Sequence, residues 1–310
     1  MRFLFLGTGT SAGVPIIACD CETCVSDDPR DVRTRTGAAV AWTDDAGQER
    51  LVLLDTTPDL RQQALRHDLR RCDAILYTHN HADHVFGLDE VRRFNAAMGG
   101  PIDVYAEERT MQDLRRIYRY IFEKEKNINT SFIAWLTPHV LDPDRPLDLW
   151  GMRFTPVRLL HGRLPVLGFR IEPMPGSALA KREGLRADSP FPLAYCTDVS
   201  GVPPESWPPL RGLRTLVLDA LRFRKHPTHF TIDQACRVAE QAGADATWFV
   251  HMSHDVLHAR DDAALPEGVR FAWDGLCLSS RPTDTPVGPG RSIGRHGAGP
   301  EPPPGAASEA

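Results

Sequence analysis

The chain has 310 residues, of which 42% are apolar, 25% charged and 8% aromatic, a composition that excludes a wholly disordered, collagenous or coiled-coil protein. No apolar run approaches the roughly 18 residues of a membrane span, and Met1–Gly7 is too short before its first glycine for a secretion signal, so a cytoplasmic protein with no membrane partner is expected. The formal charge of −5 argues against bulk attraction to nucleic acid.

Short apolar runs alternate with helical patterns along the chain. Phe3–Leu6, Ala38–Trp42, Leu51–Leu54, Ala74–Tyr77 and Ile102–Tyr105 read as strands, as do Phe154–Leu159, Leu193–Cys196, Thr215–Leu218 and Thr247–Val250. A helix is predicted after Thr57-Pro58, where a capping residue precedes a proline suited to the first turn, and another after His84. Met111, Leu114, Ile117, Tyr118 and Ile121 share a helical face and predict a long helix from Glu107 to about Lys124. Ile232, Ala235, Cys236 and Ala239 predict another, from Thr231 to Gly243. Pro173–Pro192 reads as a long surface loop. From Arg281 to Ala310, 13 of 30 residues are Gly or Pro and no apolar period survives. Residues 280–310 are therefore expected to be a disordered tail, leaving 1–279 as one α/β domain of stacked layers.

The chemistry concentrates in histidines and cysteines. An apolar strand ends at Thr78, and His79, His81, Asp83 and His84 follow within six positions. Imidazole and carboxylate are donors that zinc, manganese or iron accept, and alternate residues of an extended segment point the same way, so His79 and His81 can grip one ion. Three of the seven cysteines, Cys19, Cys21 and Cys24, fall within six residues, a thiolate spacing suited to zinc with one ligand missing. The glycine run Gly7–Gly13 lacks the Gly-Lys-Ser/Thr ending of a phosphate loop, and Pro15 follows where a helix should start.

His79-Asn80-His81-Ala82-Asp83-His84 resembles the HxHxDH signature of the metallo-β-lactamase-fold hydrolases. The resemblance implies a four-layer αββα sandwich and continues through the chain: Asp55 matches a structural aspartate, His161 the third histidine, Asp198 the bridging carboxylate and His251 the last histidine ligand. It implies one divalent metal (zinc or manganese) on His79, His81 and His161 and a second on Asp83, His84 and His251, with Asp198 between them. Asn80 stands where iron-based redox members carry a glutamate, which favours hydrolysis. Asp198 departs from true β-lactamases, which use a cysteine near this position; Cys196 lies two residues too early.

Gly7–Pro15 followed by C-x-C-x-x-C further resembles the cyclic phosphodiesterase branch of that fold. In that branch a structural zinc sits on such cysteines and a histidine three residues past the last active-site histidine, which implies Cys19, Cys21, Cys24 and His254 here. His229, in an H-x-T-x-x-x-A context, matches a histidine that contacts phosphate and protonates the leaving oxygen, with Asp83 as its aid. An imidazole with a pKa near 6.5 suits that task. His226 reads as exposed loop, and His67, His139, His258 and His296 as surface residues; Cys72, Cys196, Cys236 and Cys277 read as buried thiols. The expected activity is dinuclear-metal hydrolysis of a small phosphodiester, with phosphoribosyl 1,2-cyclic phosphate first. The rivals are a tRNA 3′-end processing nuclease of the same fold, for which 107–150 supplies no basic arm, and a non-catalytic binding module. The sequence leaves open the oligomeric state, a homodimer included, and whether Arg163 contacts substrate.

Overall fold

The computed structural model describes residues 1–123, 131–183 and 188–279. The expected tail, with His296, and the predicted helix end at Lys124 lie outside the described residues. One sheet is built from β1 (Arg2–Gly7), β2 (Gly37–Thr43), β3 (Glu49–Leu54), β4 (Ala74–Leu76), β5 (Ile102–Ala106) and β6 (Leu136–Val140), in that order. The second holds β7 (Leu147–Leu149), β8 (Met152–His161), β9 (Leu164–Pro173), β10 (Leu193–Cys196), β11 (Thr215–Asp219), β12 (Ala246–Val250) and β13 (Val269–Phe271), also in order, while β14 (Cys277–Ser279) returns to flank β1.

Side-chain alternation sorts the strands between layers. Val52 and Leu54 join Phe3, Phe154, Phe169, Tyr195 and Val217 in a core shared by both sheets. Leu51 and Leu53 turn the other way, into a cluster with Val85, Phe94, Met111 and Leu114 of the helices covering the first sheet. Leu216 and Leu218 likewise leave Val217 behind and pack with Ile232, Ala235 and Ala239 against the second sheet's outer face. These strands read as unbroken apolar runs because both of their faces are covered. The result is the αββα sandwich.

The helices depart from the sequence reading mainly in length. α1 (Leu60–Arg66) follows Thr57-Pro58, and the stretch around His84 forms a short α2 (Ala82–Val85), which begins two residues before His84. After a 3₁₀ turn comes α3 (Arg92–Met98), closed by Gly99 at φ 69°. The predicted long helix is α4 (Glu108–Ile117) and α5 (Arg119–Phe122), interrupted at Tyr118, whose hydroxyl donates to the Val85 carbonyl at 3.0 Å. The stretch read as a loop between Pro173 and Pro192 contains α6 (Ala178–Glu183). α7 (Ile232–Ala242) starts in a capping box, Thr231 and Gln234 satisfying each other's backbone N–H groups, and ends at Gly243. α8 (His258–Asp262) precedes β13. Among the described residues no helix is long and apolar enough to cross a membrane.

Strand direction places the site. β3 to β6 run parallel, as do β10 to β13, and β8 shares the direction of β10 because both are antiparallel to β9. Residues at or just past the carboxyl ends of β3, β4, β8, β10, β11 and β12 therefore converge at one edge of the sandwich, where open α/β sheets bind ligands.

Candidate metal centres

At that edge stand Asp55, the His79–His84 segment, His161, Asp198, Asp219 and His251. Asp55, Asp198 and His251 each adopt a left-handed backbone, at φ 65°, 57° and 62°. Such conformations are costly for residues with a Cβ and persist where the surrounding structure holds the chain, commonly at functional sites.

The donor atoms of His79, His81, His161 and Asp198 all lie within 4.8 Å of one another, and so do those of Asp83, His84, Asp198 and His251. Asp198 is common to both groups. The structure thus brings together all seven residues that the resemblance assigns to two ions. Asp198 Oδ1 is 3.1 Å from His84 Nε2, and its Oδ2 is 3.3 Å from His251 Nε2 and 3.9 Å from His79 Nε2. Most of these side chains are buried; His81 is exposed, so the centre opens on its side.

Hydrogen bonds behind the rings fix which nitrogen faces the centre. His161 Nδ1 donates to the Thr228 carbonyl at 2.7 Å, and His84 Nδ1 donates to Asp55 Oδ2 at 2.8 Å. The Thr78 hydroxyl donates to Asp55 at 2.9 Å and accepts from His79 Nδ1 at 2.9 Å. Each of these rings must then present an unprotonated Nε2 when neutral. The Nε2 atoms of His79, His84 and His251 are buried without a hydrogen-bond partner, the condition of nitrogen donors waiting for a cation. This donor set of imidazoles and carboxylates fits divalent metal ions.

The electrostatics agree. Burial disfavours a charged His84, yet the Asp198, Asp83 and Asp55 carboxylates around it hold its pKa well above the usual imidazole value. Burial opposes ionisation of Asp198 too, but His251 and His84 keep its pKa well below the carboxylate range. Burial instead drives His79 well below the imidazole range, assisted by His84. Negative carboxylates and closely spaced imidazoles make a cavity that a positive ion relieves.

His229 completes the site. Its ring stacks on His251 at 4.6 Å and 15° and meets His161 edge-on at 4.5 Å, so it touches one residue of each donor group. Asp219, at the end of β11, accepts from His229 Nδ1 at 2.7 Å through Oδ2, the same oxygen that takes the Val199 N–H at 2.6 Å. Sequence reading missed Asp219. Its signal was the one that identified Asp55, an aspartate closing an apolar strand. His226 was also misjudged: its ring is half-buried and lies 5.1 Å from that of His229. Arg163 is exposed, and among the described residues nothing ties it to the donor groups.

The cysteine loop forms a separate cluster. Cys19, Cys21 and Cys24 place their sulfurs 3.2, 3.5 and 3.7 Å from His254 Nδ1. A tetrahedron with Zn–S near 2.3 Å and Zn–N of about 2.0–2.1 Å has edges of about 3.5–3.8 Å, so these four donors fit zinc closely. Cys24 Sγ also accepts the Ile16 N–H at 3.3 Å, while burial pushes its thiol up to about 11. Arg33, fully buried, ties this loop down: it pairs with Asp31 at 2.7 Å and donates to the carbonyls of Ser253 and Val256 at 3.0 and 2.9 Å.

The remaining sequence assignments divide. His258 is buried against Phe271 and Trp273, and His67 is mostly covered, so neither is a surface residue. His139 is partly exposed and pairs with Asp103 at 2.9 Å. Cys72 and Cys196 are buried, whereas Cys236 and Cys277 are partly open to solvent.

Comparison with known proteins agrees with this architecture. The family model of the beta-lactamase superfamily domain matches residues 28–252. A crystal structure described as a new diphosphatase from the PhnP family superposes with a TM-score of 0.76 at 39% identity, over 90% of this chain and 97% of that one. Zinc-bound PqqB from Methylobacterium extorquens shares the fold at a TM-score of 0.65 and 19% identity, covering 90% of this chain and all of its own. An octanoyltransferase of Porphyromonas gingivalis is 35% identical over 89% of this chain, which spans 51% of that protein, so the chain covers about half the length of this curated relative. The chain belongs to the beta-lactamase superfamily and, within it, to the PhnP family.

Proposed function

We propose that the protein is a dinuclear-metal phosphodiesterase that hydrolyses a small, cyclic phosphodiester, with a phosphoribosyl 1,2-cyclic phosphate as the first substrate to test. The observation that carries the reading is the position of His229, held by Asp219 and in contact with both metal-donor groups. His79, His81 and His161 would hold one divalent ion, zinc or manganese, and Asp83, His84 and His251 the other, with Asp198 shared. When bound, two such ions lower the pKa of a water and neutralise charge growing on phosphoryl oxygens.

The chain's own residues supply the rest. The Asp219 carboxylate holds the Nδ1 proton of His229, which turns Nε2 towards the space between the donor groups. From there Nε2–H donates to the departing oxygen as the P–O bond breaks, and opening of a ring phosphate leaves a phosphomonoester and an alcohol. Asp83, beside both His84 and His251, keeps that region anionic and assists the proton's return. Cys19, Cys21, Cys24 and His254 would hold a zinc that fastens the N-terminal loop to the end of β12, a contribution to stability rather than to chemistry.

A second reading is hydrolysis of a phosphoanhydride, favoured by the diphosphatase name of the 39%-identical structure. Acyl transfer, the activity in the octanoyltransferase's name, belongs to a relative of which this chain spans 51%, and it is not carried over here. Turnover by metal-loaded protein on ribose cyclic phosphates, 2′,3′-cyclic nucleotides, linear diesters, nucleoside diphosphates and precursor tRNA separates the readings. Preference for cyclic diesters supports the first, cleavage of diphosphates alone supports the second, and failure on every substrate leaves a binding module.

A further inference from the structure

The helices that cover the first sheet enclose a cleft of about 610 Å³ between α1, the chain just after it and α3. Leu60 and Phe94 form its floor, both buried in the cluster that packs on that sheet, and Ala64 and Leu69 rest against the same cluster. Leu65 stands at its wall, 62% exposed. The side chains at Ala64 on α1 and Ala97 on α3 are too small to close the space between the helices. None of the metal donors lines it.

The rim is cationic in a chain whose net charge is −5. Arg61, Arg70, Arg92 and Arg93 line the cleft against two acids, Asp68 and Glu90. Arg70 pairs with Asp68 and Arg92 with Asp89, whereas the guanidiniums of Arg61 and Arg93 have no ion pair among the described residues. Leu65 lies four residues after Arg61 on α1, and Ala97 four after Arg93 on α3. Residues four apart share a helix face, so each helix sets an unpaired cation one turn from the carbon surface of the cleft.

We propose that the cleft between α1 and α3 binds a small amphiphilic anion, an alkyl or aromatic body carrying one carboxylate. The body covers Leu60, Leu65 and Phe94, and the head is drawn to the Arg61 and Arg93 guanidiniums, whose forked donors match two carboxylate oxygens. Size selects a small molecule over a protein partner. Twelve residues line the cleft, against about 20–30 a side in a standard protein interface, and its volume falls within the roughly 300–1,000 Å³ of small-ligand sites. The cleft and the hydrolytic edge have no residue in common, so binding here is independent of the substrate hydrolysed there.

The experiment titrates metal-loaded protein with anilinonaphthalene sulfonate, an anionic aromatic probe that fluoresces in apolar surroundings, and displaces it with decanoate, decanol or acetate. Decanoate is expected to displace the probe from one site at least ten-fold better than decanol, and acetate to leave it in place. The double variant Arg61→Gln with Arg93→Gln should weaken decanoate at least ten-fold. Ala64→Phe, which fills the space and keeps the charges, should remove the site. Equal displacement by decanol and decanoate would overturn the role of the arginines, and undiminished binding by either variant would place the probe elsewhere and refute the site, as would no binding by the wild type. Metal content and Tm matching the wild type verify folding; should Ala64→Phe fold poorly, Leu65→Glu at the exposed wall replaces it, and it should weaken decanoate at least ten-fold by repelling the head.

Discussion

Asp219 Oδ2 lies 2.7 Å from His229 Nδ1, both side chains being buried, so the carboxylate determines which nitrogen of that histidine faces the metal-donor groups. Removing the acid should therefore differ from removing its support. His229→Ala should keep its metals and lose about 10²–10⁴-fold in kcat, with the greatest loss on substrates whose leaving oxygen is a poor leaving group. Asp219→Asn keeps the imidazole but no longer fixes its tautomer and orientation, so a loss of about 10–100-fold is expected. Rates measured across a series of aryl and alkyl diesters check both; an equal loss for every leaving group would remove His229 from proton transfer.

Asp55 stands behind both donor groups. It accepts from His84 Nδ1 and from the Thr78 hydroxyl, which in turn holds His79, so one carboxylate orients donors of both groups. Asp55→Ala should weaken metal affinity by about 10–100-fold while leaving all seven ligands in place. Chelator competition monitored by metal release measures this directly. Activity restored at high added metal would agree with an orienting role; unchanged affinity would contradict it.

Four of the seven donors were legible in the chain because they are local, whereas His161, Asp198 and His251, far apart in sequence, came only with the family resemblance. His79 to His84 follow a buried strand within six residues, and the cysteine loop is equally compact. Asp219 and Thr78 escaped because their roles depend on contacts the sequence does not order: Asp219 meets His229 across a turn, and Thr78 matters only through Asp55. His226 was assigned to solvent for a similar reason, since a Lys-His-Pro triplet gives no sign that its ring rests on His229. The strands missed were those without a clean apolar run. β9 begins Leu164-Pro165 and ends at Pro173, yet pairs with β8 from end to end, because the hairpin turn His161–Leu164 sets its register. The long helix failed at Tyr118, whose apolar spacing continues but whose hydroxyl reaches the Val85 carbonyl from a non-helical backbone at ψ 44°.

The cysteine cluster predicts a separable metal. Elemental analysis of purified protein should approach about three ions per chain, and Cys21→Ala should lose one while retaining turnover at low temperature. Thermal stability should fall, because a closed four-donor site contributes folding free energy. Loss of activity with all ions retained would contradict a structural role.

Arg33 and Asp31 form a fully buried pair at 2.7 Å, and Arg33 also holds the carbonyls of Ser253 and Val256 on either side of His254. Arg33→Met strands a buried carboxylate and should cost about 3–5 kcal/mol in denaturant unfolding. Because each single change leaves the other charge unpaired, Arg33→Met with Asp31→Asn should cost less than the sum of the two. Strict additivity would show that the pair is not coupled in the folded protein.

Buried histidines make the fold sensitive to acid outside the metal centre. His258 lies between Phe271 and Trp273 with its Nδ1 unpartnered, and burial, assisted by Arg30 and Arg33, drives its pKa down to about 4. The folded state therefore keeps His258 neutral where the unfolded chain, with a pKa near 6.5, binds a proton. Above pH 6.5 both states are neutral and the residue imposes no pH dependence. As pH falls from 6.5 to 4 the unfolded state gains protons first, so stability declines through that window and the effect levels off below it. His258→Phe removes the titrating group while keeping a ring against the same aromatic neighbours, and should flatten the fall in Tm between pH 6.5 and 4.5. Metal-loaded protein must be used throughout, since protonation of the donor histidines would otherwise add its own slope; an identical pH profile for variant and wild type would assign the acid sensitivity elsewhere, with His67, also driven down to about 4 by burial, as the next residue to replace.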